Sequence, residues 1–292
     1  YNEPDLTIAD TPEARADWTV RLQLASDAIR SAIADVNRLY GTSLVPDIVA
    51  PVISGGAAKF STWGQAALNT LHTDYQGNTV PYRIFDTFDI HNYNTDGARY
   101  AADLAFLKSV LPDGMGITYS EFNRYTTSAF ASRADSLETP ANFTDIGHIL
   151  VSAMSQDVKG MYAFKFSQTS GSATGGQPYK TGFYYVEETT PLNNITGATH
   201  AAEVMRLAAR AFAGGHARLG AAVASSNSNF ASTAALNADR GNYYVYAVNR
   251  NTADVYDVTL NLSAWDVAPG TVVSIEEVSD RHMGEVTRLI TV

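Results

Sequence analysis

The chain has 292 residues and a formal net charge of −10, long enough to bury a sizeable core in one large domain or two small ones. An apolar fraction of 45% excludes a disordered chain, and the acidic balance argues against nucleic acid or anionic membranes as partners. The absence of Cys removes disulfides, thiolate catalysis and zinc–thiolate sites together, and no apolar run approaches a membrane span.

Thr11-Pro12-Glu13 predicts a helix start with Pro in the first turn. Leu22, Ala25, Ile29, Ile33, Val36 and Tyr40 continue it at helical spacing until Gly41. Asp47 to Ile53 follows as a short apolar strand ending at Gly55-Gly56. A second helix is expected from Trp63 through Leu71, and a strand from Tyr82 to Tyr93. Tyr100, Leu104, Leu107 and Leu111 mark another helix, Gly116 to Glu121 a strand, and Ile146 to Val158 a helix. Gly160 to Phe166 is the next strand, followed by a Ser/Thr/Gly-rich loop and a last helix over Val204 to Phe212.

Strands and helices alternating at this spacing predict βαβ units, a parallel sheet and, with long segments after the strand ends, an α/β fold of the (β/α)8 TIM-barrel type. The expected extent of this part is 1–224. From 225 to 292 the pattern turns to alternating strands, at Asn242 to Asn249, Tyr256 to Leu262 and Thr271 to Val278, and predicts a small antiparallel β-sandwich domain.

The chemistry is expected at strand ends. Glu3 stands in Asn-Glu-Pro, and Glu121 stands in Tyr119-Ser120-Glu121-Phe122-Asn123. Counting units backward from the last helix, Glu121 closes the strand before the final one and Glu3 a strand three units earlier. Strands so placed face each other across a barrel mouth. On the strand between them, Asp89, His91 and Tyr93 share a face at period two. Asp89 is read there as a supporting residue.

This pair, with His91 and Tyr93, resembles the clan A retaining glycoside hydrolases, in which Asn-Glu-Pro ends strand four and a second Glu ends strand seven. The resemblance covers most of 1–215 and implies that Glu3 is the general acid/base and Glu121 the nucleophile. It implies that Asn2 contacts the sugar 2-hydroxyl, that Tyr93 donates to the nucleophile and that His91 orients it or the sugar. Trp63 is a candidate stacking platform, and Tyr119, Asn123 and Lys165 are further candidate substrate contacts. Phe164-Lys165-Phe166 departs from the Trp that many members carry after strand eight. The two carboxyl groups of a retaining enzyme stand roughly 5–5.5 Å apart, one protonated and one ionised. No metal and no cofactor is implied, and none of the remaining His residues shows metal-ligand spacing.

The phrasing Glu276-Glu277-Val278, with Gly284-Glu285-Val286, is similar to that of agarases and porphyranases, so the expected substrate is a polysaccharide of the algal galactan type. The layout is also similar to β-xylosidases and α-iduronidases, which leaves xylan-type or uronide-containing glycosides as the alternative. A rival reading from another class is a non-catalytic carbohydrate-binding or extracellular structural protein derived from such a hydrolase. Only units four to eight are visible, so strands one to three are expected from a separate chain or segment. A secreted bacterial location fits the low charge and the abundance of Asn, Ser, Thr and Tyr.

Overall fold

The computed structural model describes residues 2–124, 137–164, 167–169, 182–188, 193–212, 216–219, 227–238 and 241–292. A short helical turn, α1 (Pro4–Thr7), precedes the long helix α2 (Pro12–Tyr40). The ends of α2 follow the local signals: the Thr11 side chain accepts from the Ala14 N–H, Pro12 occupies the first turn, and Gly41 closes the helix at φ 64°. Strand β1 (Val49–Ile53) comes next. The helix expected from Trp63 is instead a 3₁₀ turn over Gly56–Lys59, a π turn over Phe60–Gly64 and a short α3 (Gln65–Asn69).

Strand β2 (Thr87–Tyr93), helix α4 (Gly97–Val110), strand β3 (Gly116–Asn123), helix α5 (Pro140–Met154) and strand β4 (Gly160–Ala163) complete the alternating part. The four strands form one parallel sheet in the order β1-β2-β3-β4. Val52 pairs with Asp89 and Ile53 with Ile90. A closed eight-stranded cylinder is not formed among the described residues. Glu3 does not end a strand either; its N–H donates to the Val52 carbonyl at 3.1 Å, which ties it to β1 from the start of α1.

The chain divides into two compact units, one of Tyr1–Tyr93, Ala102–Phe122 and Val158–Tyr162, the other of Asn94–Ala101, Asn123–Asp157 and Ala163–Val292. In the first, Trp63, Phe85, Phe88, Ile90, Leu104, Leu107 and Tyr119 are fully buried. Phe60 packs on Phe88 and edge-on against Phe106, with ring centroids 5.7 and 5.3 Å apart. Gly56, at φ 63°, is needed for space as well as conformation: a Cβ there would lie 2.1 Å from the Asp103 carboxylate. That carboxylate accepts from the Asn92 amide at 2.8 Å and so satisfies a buried polar group of β2.

The second unit holds α5 and three small sheets. Strands β5 (Ser167–Thr169), β6 (Tyr184–Glu188) and β7 (Asn193–Ala198) form one, with β5 parallel to β6. After helix α6 (His200–Ala211), strands β8 (Ala217–Leu219), β9 (Phe230–Asn237) and β10 (Asn242–Asn249) form an antiparallel sheet in the order β10-β9-β8. Strands β11 (Val272–Val278) and β12 (Met283–Thr291) make an antiparallel pair.

The boundary expected at 225 does not separate these units, because α5 and α6 pack on β9 and β10. Tyr246 donates to the Val204 carbonyl at 3.0 Å, and Val248 lies so close to Gly147 that a Cβ there would meet it at 2.9 Å. The expected strand over Tyr256–Leu262 does not form. Its alternating Val258 and Leu260 are about half exposed, so the pattern has no buried face to be read against. Among the described residues, no helix is long and apolar enough to cross a membrane.

Candidate active site

The first unit brings Glu3, His91, Tyr93 and Glu121 together. Two ties fix the Asn-Glu-Pro segment beside the end of β1. One is the Glu3 N–H on the Val52 carbonyl. The other is the buried Asp5 carboxylate, which accepts the Ser54 N–H at 2.9 Å and the Ser54 hydroxyl. Pro4 sits at the first helical position with its missing N–H at no cost, and Glu3 caps the turn in the left-handed region at φ 49°. Because β1 pairs in parallel with β2, a residue held at the end of β1 stands next to the end of β2, where His91 and Tyr93 lie.

The imidazole of His91 is completely buried, while the side chains of Glu3 and Glu121 remain about one-fifth exposed. His91 Nδ1 lies 2.9 Å from Glu3 Oε1 and 3.5 Å from Glu121 Oε2. Tyr93 O–H donates to Glu121 Oε2 at 2.5 Å, and the Asn2 amide donates to Glu121 Oε1 at 3.4 Å. The result is an asymmetric pair of carboxyl groups. Glu121 receives two protein donors that stabilise an anion, whereas Glu3 is bonded through the buried ring.

Behind the ring lies a second layer. His91 Nε2 is 2.9 Å from Ser120 Oγ, and that oxygen is 2.5 Å from Asp89 Oδ2. Asp89 Oδ1 accepts the Ser120 N–H at 2.8 Å and the Thr118 hydroxyl at 2.7 Å. Burial pushes the Asp89 carboxyl above its ordinary value, and the bonds from Ser120 and Thr118 oppose that shift.

Glu3, His91 and Glu121 each present an atom of ligand type, all within 4.8 Å of one another, a spacing a divalent cation can span. Tyr93 and Asn2 both donate into Glu121, however, and donors aimed at a carboxylate compete with a cation for its lone pairs. The donor set suits proton sharing better than metal binding.

The remaining expected contacts fare differently. Trp63 is fully buried, edge-on against Trp18 with centroids 5.5 Å apart, so neither face is open to a sugar; the π turn directs it into the core. Tyr119 is likewise fully buried. Asn123 is buried in the second unit, where its amide donates to the Phe164 carbonyl and its Oδ1 accepts the Arg124 N–H at 2.7 Å; it serves the backbone. Lys165 lies outside the described residues. Asp89 supports the site as expected of it, but Ser120 was not anticipated. The one available signal was a hydroxyl residue directly before Glu121, opposite a strand carrying Asp89 and His91.

No family model matches the chain, and no curated protein matches it. Among solved structures, the chain is similar in fold to two enzymes. A glucosidase from Croceicoccus marinus superimposes with a TM-score of 0.51 at 13% identity, over 84% of this chain and 46% of that one. A GH39 β-xylosidase from Caulobacter crescentus gives a TM-score of 0.45 at 11% identity, over 80% of this chain and 46% of the xylosidase. The chain spans about half the length of the enzymes it resembles. At such identities the likeness is one of fold.

Proposed function

We propose that this chain carries the acid/base and the nucleophile of a retaining glycoside hydrolase. One observation carries the reading: two carboxyl groups 118 positions apart in sequence meet on a single buried imidazole, their facing atoms within 4.8 Å. That spacing suits direct attack by one carboxylate and is too short to admit a water for inversion. Glu121 attacks the anomeric carbon while Glu3 transfers its proton to the glycosidic oxygen, so the C–O bond breaks as the glycosyl ester forms. Glu3, now ionised, then takes a proton from the water that hydrolyses the ester and is restored. Asn2, at the exposed rim, is the residue placed to meet a sugar hydroxyl.

For the substrate we favour a glucoside over an algal galactan. The glucosidase likeness supports the former. The galactan reading rested on phrasing at 276–278 and 284–286, and those residues pair with each other in the β11–β12 hairpin, Glu276 with Val286 and Glu277 with Glu285, which accounts for them without a ligand. A separate chain supplying further strands is not part of this proposal.

The test is mass spectrometry after incubation with activated 2-deoxy-2-fluoro glycosides. A glycosyl adduct on Glu121 is expected, together with a fall in turnover on the order of 10⁴-fold or more in Glu121→Gln. Sugar binding by the wild type with no adduct and no turnover would instead favour a non-catalytic binding protein.

A further inference from the structure

The Asp89–Ser120–His91 chain has a directional logic that bears on which carboxyl group carries the proton. Ser120 Oγ has one hydrogen to give and is in reach of two partners, Asp89 Oδ2 at 2.5 Å and His91 Nε2 at 2.9 Å. Asp89 accepts on its other oxygen from the Ser120 N–H, which can only donate, and from the Thr118 hydroxyl. Two donors already hold Oδ1, one of them an N–H, which keeps the carboxyl group as an acceptor, so the Ser120 hydrogen goes to Asp89 Oδ2. Ser120 Oγ then accepts, and the hydrogen it accepts is the one on His91 Nε2. With Nε2 protonated, a neutral ring leaves Nδ1 as an acceptor, and Nδ1 lies 2.9 Å from Glu3 Oε1. A contact between two lone pairs at that distance is repulsive; the Glu3–His91 bond requires one proton between them.

We infer that Ser120 and Asp89 are positioning residues that fix the hydrogen of His91 on Nε2, so that Nδ1 and Glu3 share the single proton that Glu3 delivers to the leaving group. The inference rests on the reading of Glu3 as the general acid. The groups facing the ring are Glu3 from the turn before α1, Glu121 from β3 and, through Ser120, Asp89 from β2; Tyr93 and Asn2 reach Glu121, which keeps the second carboxylate supplied with donors of its own. The device separates two like groups at close quarters by giving each a different set of partners.

Removing the Ser120 hydroxyl takes away the acceptor for Nε2–H. The ring is then expected to move its hydrogen to Nδ1 and donate to an ionised Glu3. Two measurements test this on the whole chain. Long-range ¹H–¹⁵N correlation on the His91 ring, assigned with His91→Gln, should show a protonated Nε2 in the wild type and loss of that pattern in Ser120→Ala and Asp89→Asn. On an aryl glucoside, the alkaline limb of kcat should move to lower pH by about one unit in both variants, with kcat down about 10- to 100-fold and KM little changed. Ser120→Thr, which keeps the hydroxyl, should restore both.

A wild-type ring protonated on Nδ1 and bare at Nε2 overturns the inference, as does a Ser120→Ala profile that coincides with the wild type. The ring pattern is read without turnover. A chain that shows Nε2–H but hydrolyses no glycoside therefore overturns the enzymatic reading and, with it, the role given to the shared proton.

Discussion

Strands β2 and β12 are built from comparable letters and do opposite things with them. Along β2, six of seven residues are buried, and four of the buried ones, Thr87, Asp89, His91 and Asn92, are polar or ionisable. Along β12, every residue but Gly284 is exposed, including Leu289 and Ile290. A charge on β12 is solvated and a hydrophobe there removes little surface from water. A charge on β2 costs several kcal/mol unless it is matched, on the order of the stabilisation a whole side chain can provide. The buried polar residues of β2 each have named partners: Asp47 and Lys159 for Thr87, Asp103 for Asn92, Ser120 and Thr118 for Asp89, Glu3 and Ser120 for His91. Buried polarity matched in this way sets β2 apart as the strand on which the proposed chemistry rests.

The contrast can be broken most sharply at the carboxyl group that meets β2. Glu3→Gln should lower kcat by about 10²- to 10⁴-fold on a glycoside with a poor leaving group and by much less on a nitrophenyl glycoside, with an unchanged far-ultraviolet spectrum. Equal losses on both would remove the proton-transfer role. Next in size is a cut in the same unit away from the carboxylates. Trp63→Ala should destabilise the chain by about 3–5 kcal/mol in urea unfolding. Unchanged stability with weakened sugar binding would restore Trp63 as a platform.

A third test lies in the second unit, at His148. Burial holds its pKa below the ordinary 6.5, with Arg250 nearby acting in the same direction. The unfolded chain therefore takes up a proton there that the folded one resists, and stability is full above pH 6.5 and is lost as pH falls below it. Urea midpoints at about pH 7.5 and 5.5 should differ, and His148→Leu should narrow the gap. Least of all is expected at β12, where Leu289→Ser should shift stability by no more than about 0.5 kcal/mol. A larger loss would show that this exposed face is covered in solution.

Much of the frame was legible because its signals are local. Thr11, Pro12 and Gly41 bracket α2 to the residue, and the alternating run Asn242 to Asn249 is β10 as read. Glu3 was proposed from the Asn-Glu-Pro motif and Glu121 by counting strand ends back from the last helix, and the two carboxyl groups do lie on one buried ring. What escaped depends on partners that spacing does not encode. The direction of Trp63 is set by a π turn, a backbone shift that moves every following side chain round the axis. Tyr256 to Leu262 alternates without a surface to bury against. The role of Ser120 needs three residues from two strands to be seen together, and one serine among many carries no such mark. The boundary at 225 was missed for a related reason: α5 is buried on nearly every face and α6 on one, and nothing in their own letters says which sheet they cover.

The left-handed backbone at Glu3 leaves a last consequence. Glycine occupies φ near 49° without penalty, whereas a residue with a Cβ is disfavoured there by roughly 1–2 kcal/mol. Selection for robustness alone would therefore erase this side chain, and the replacement Glu3→Gly should yield a chain that is sturdier at the turn and inert toward sugars. An acid at so uncomfortable a spot is held there by what its side chain touches, the buried His91 ring, and not by the turn it caps.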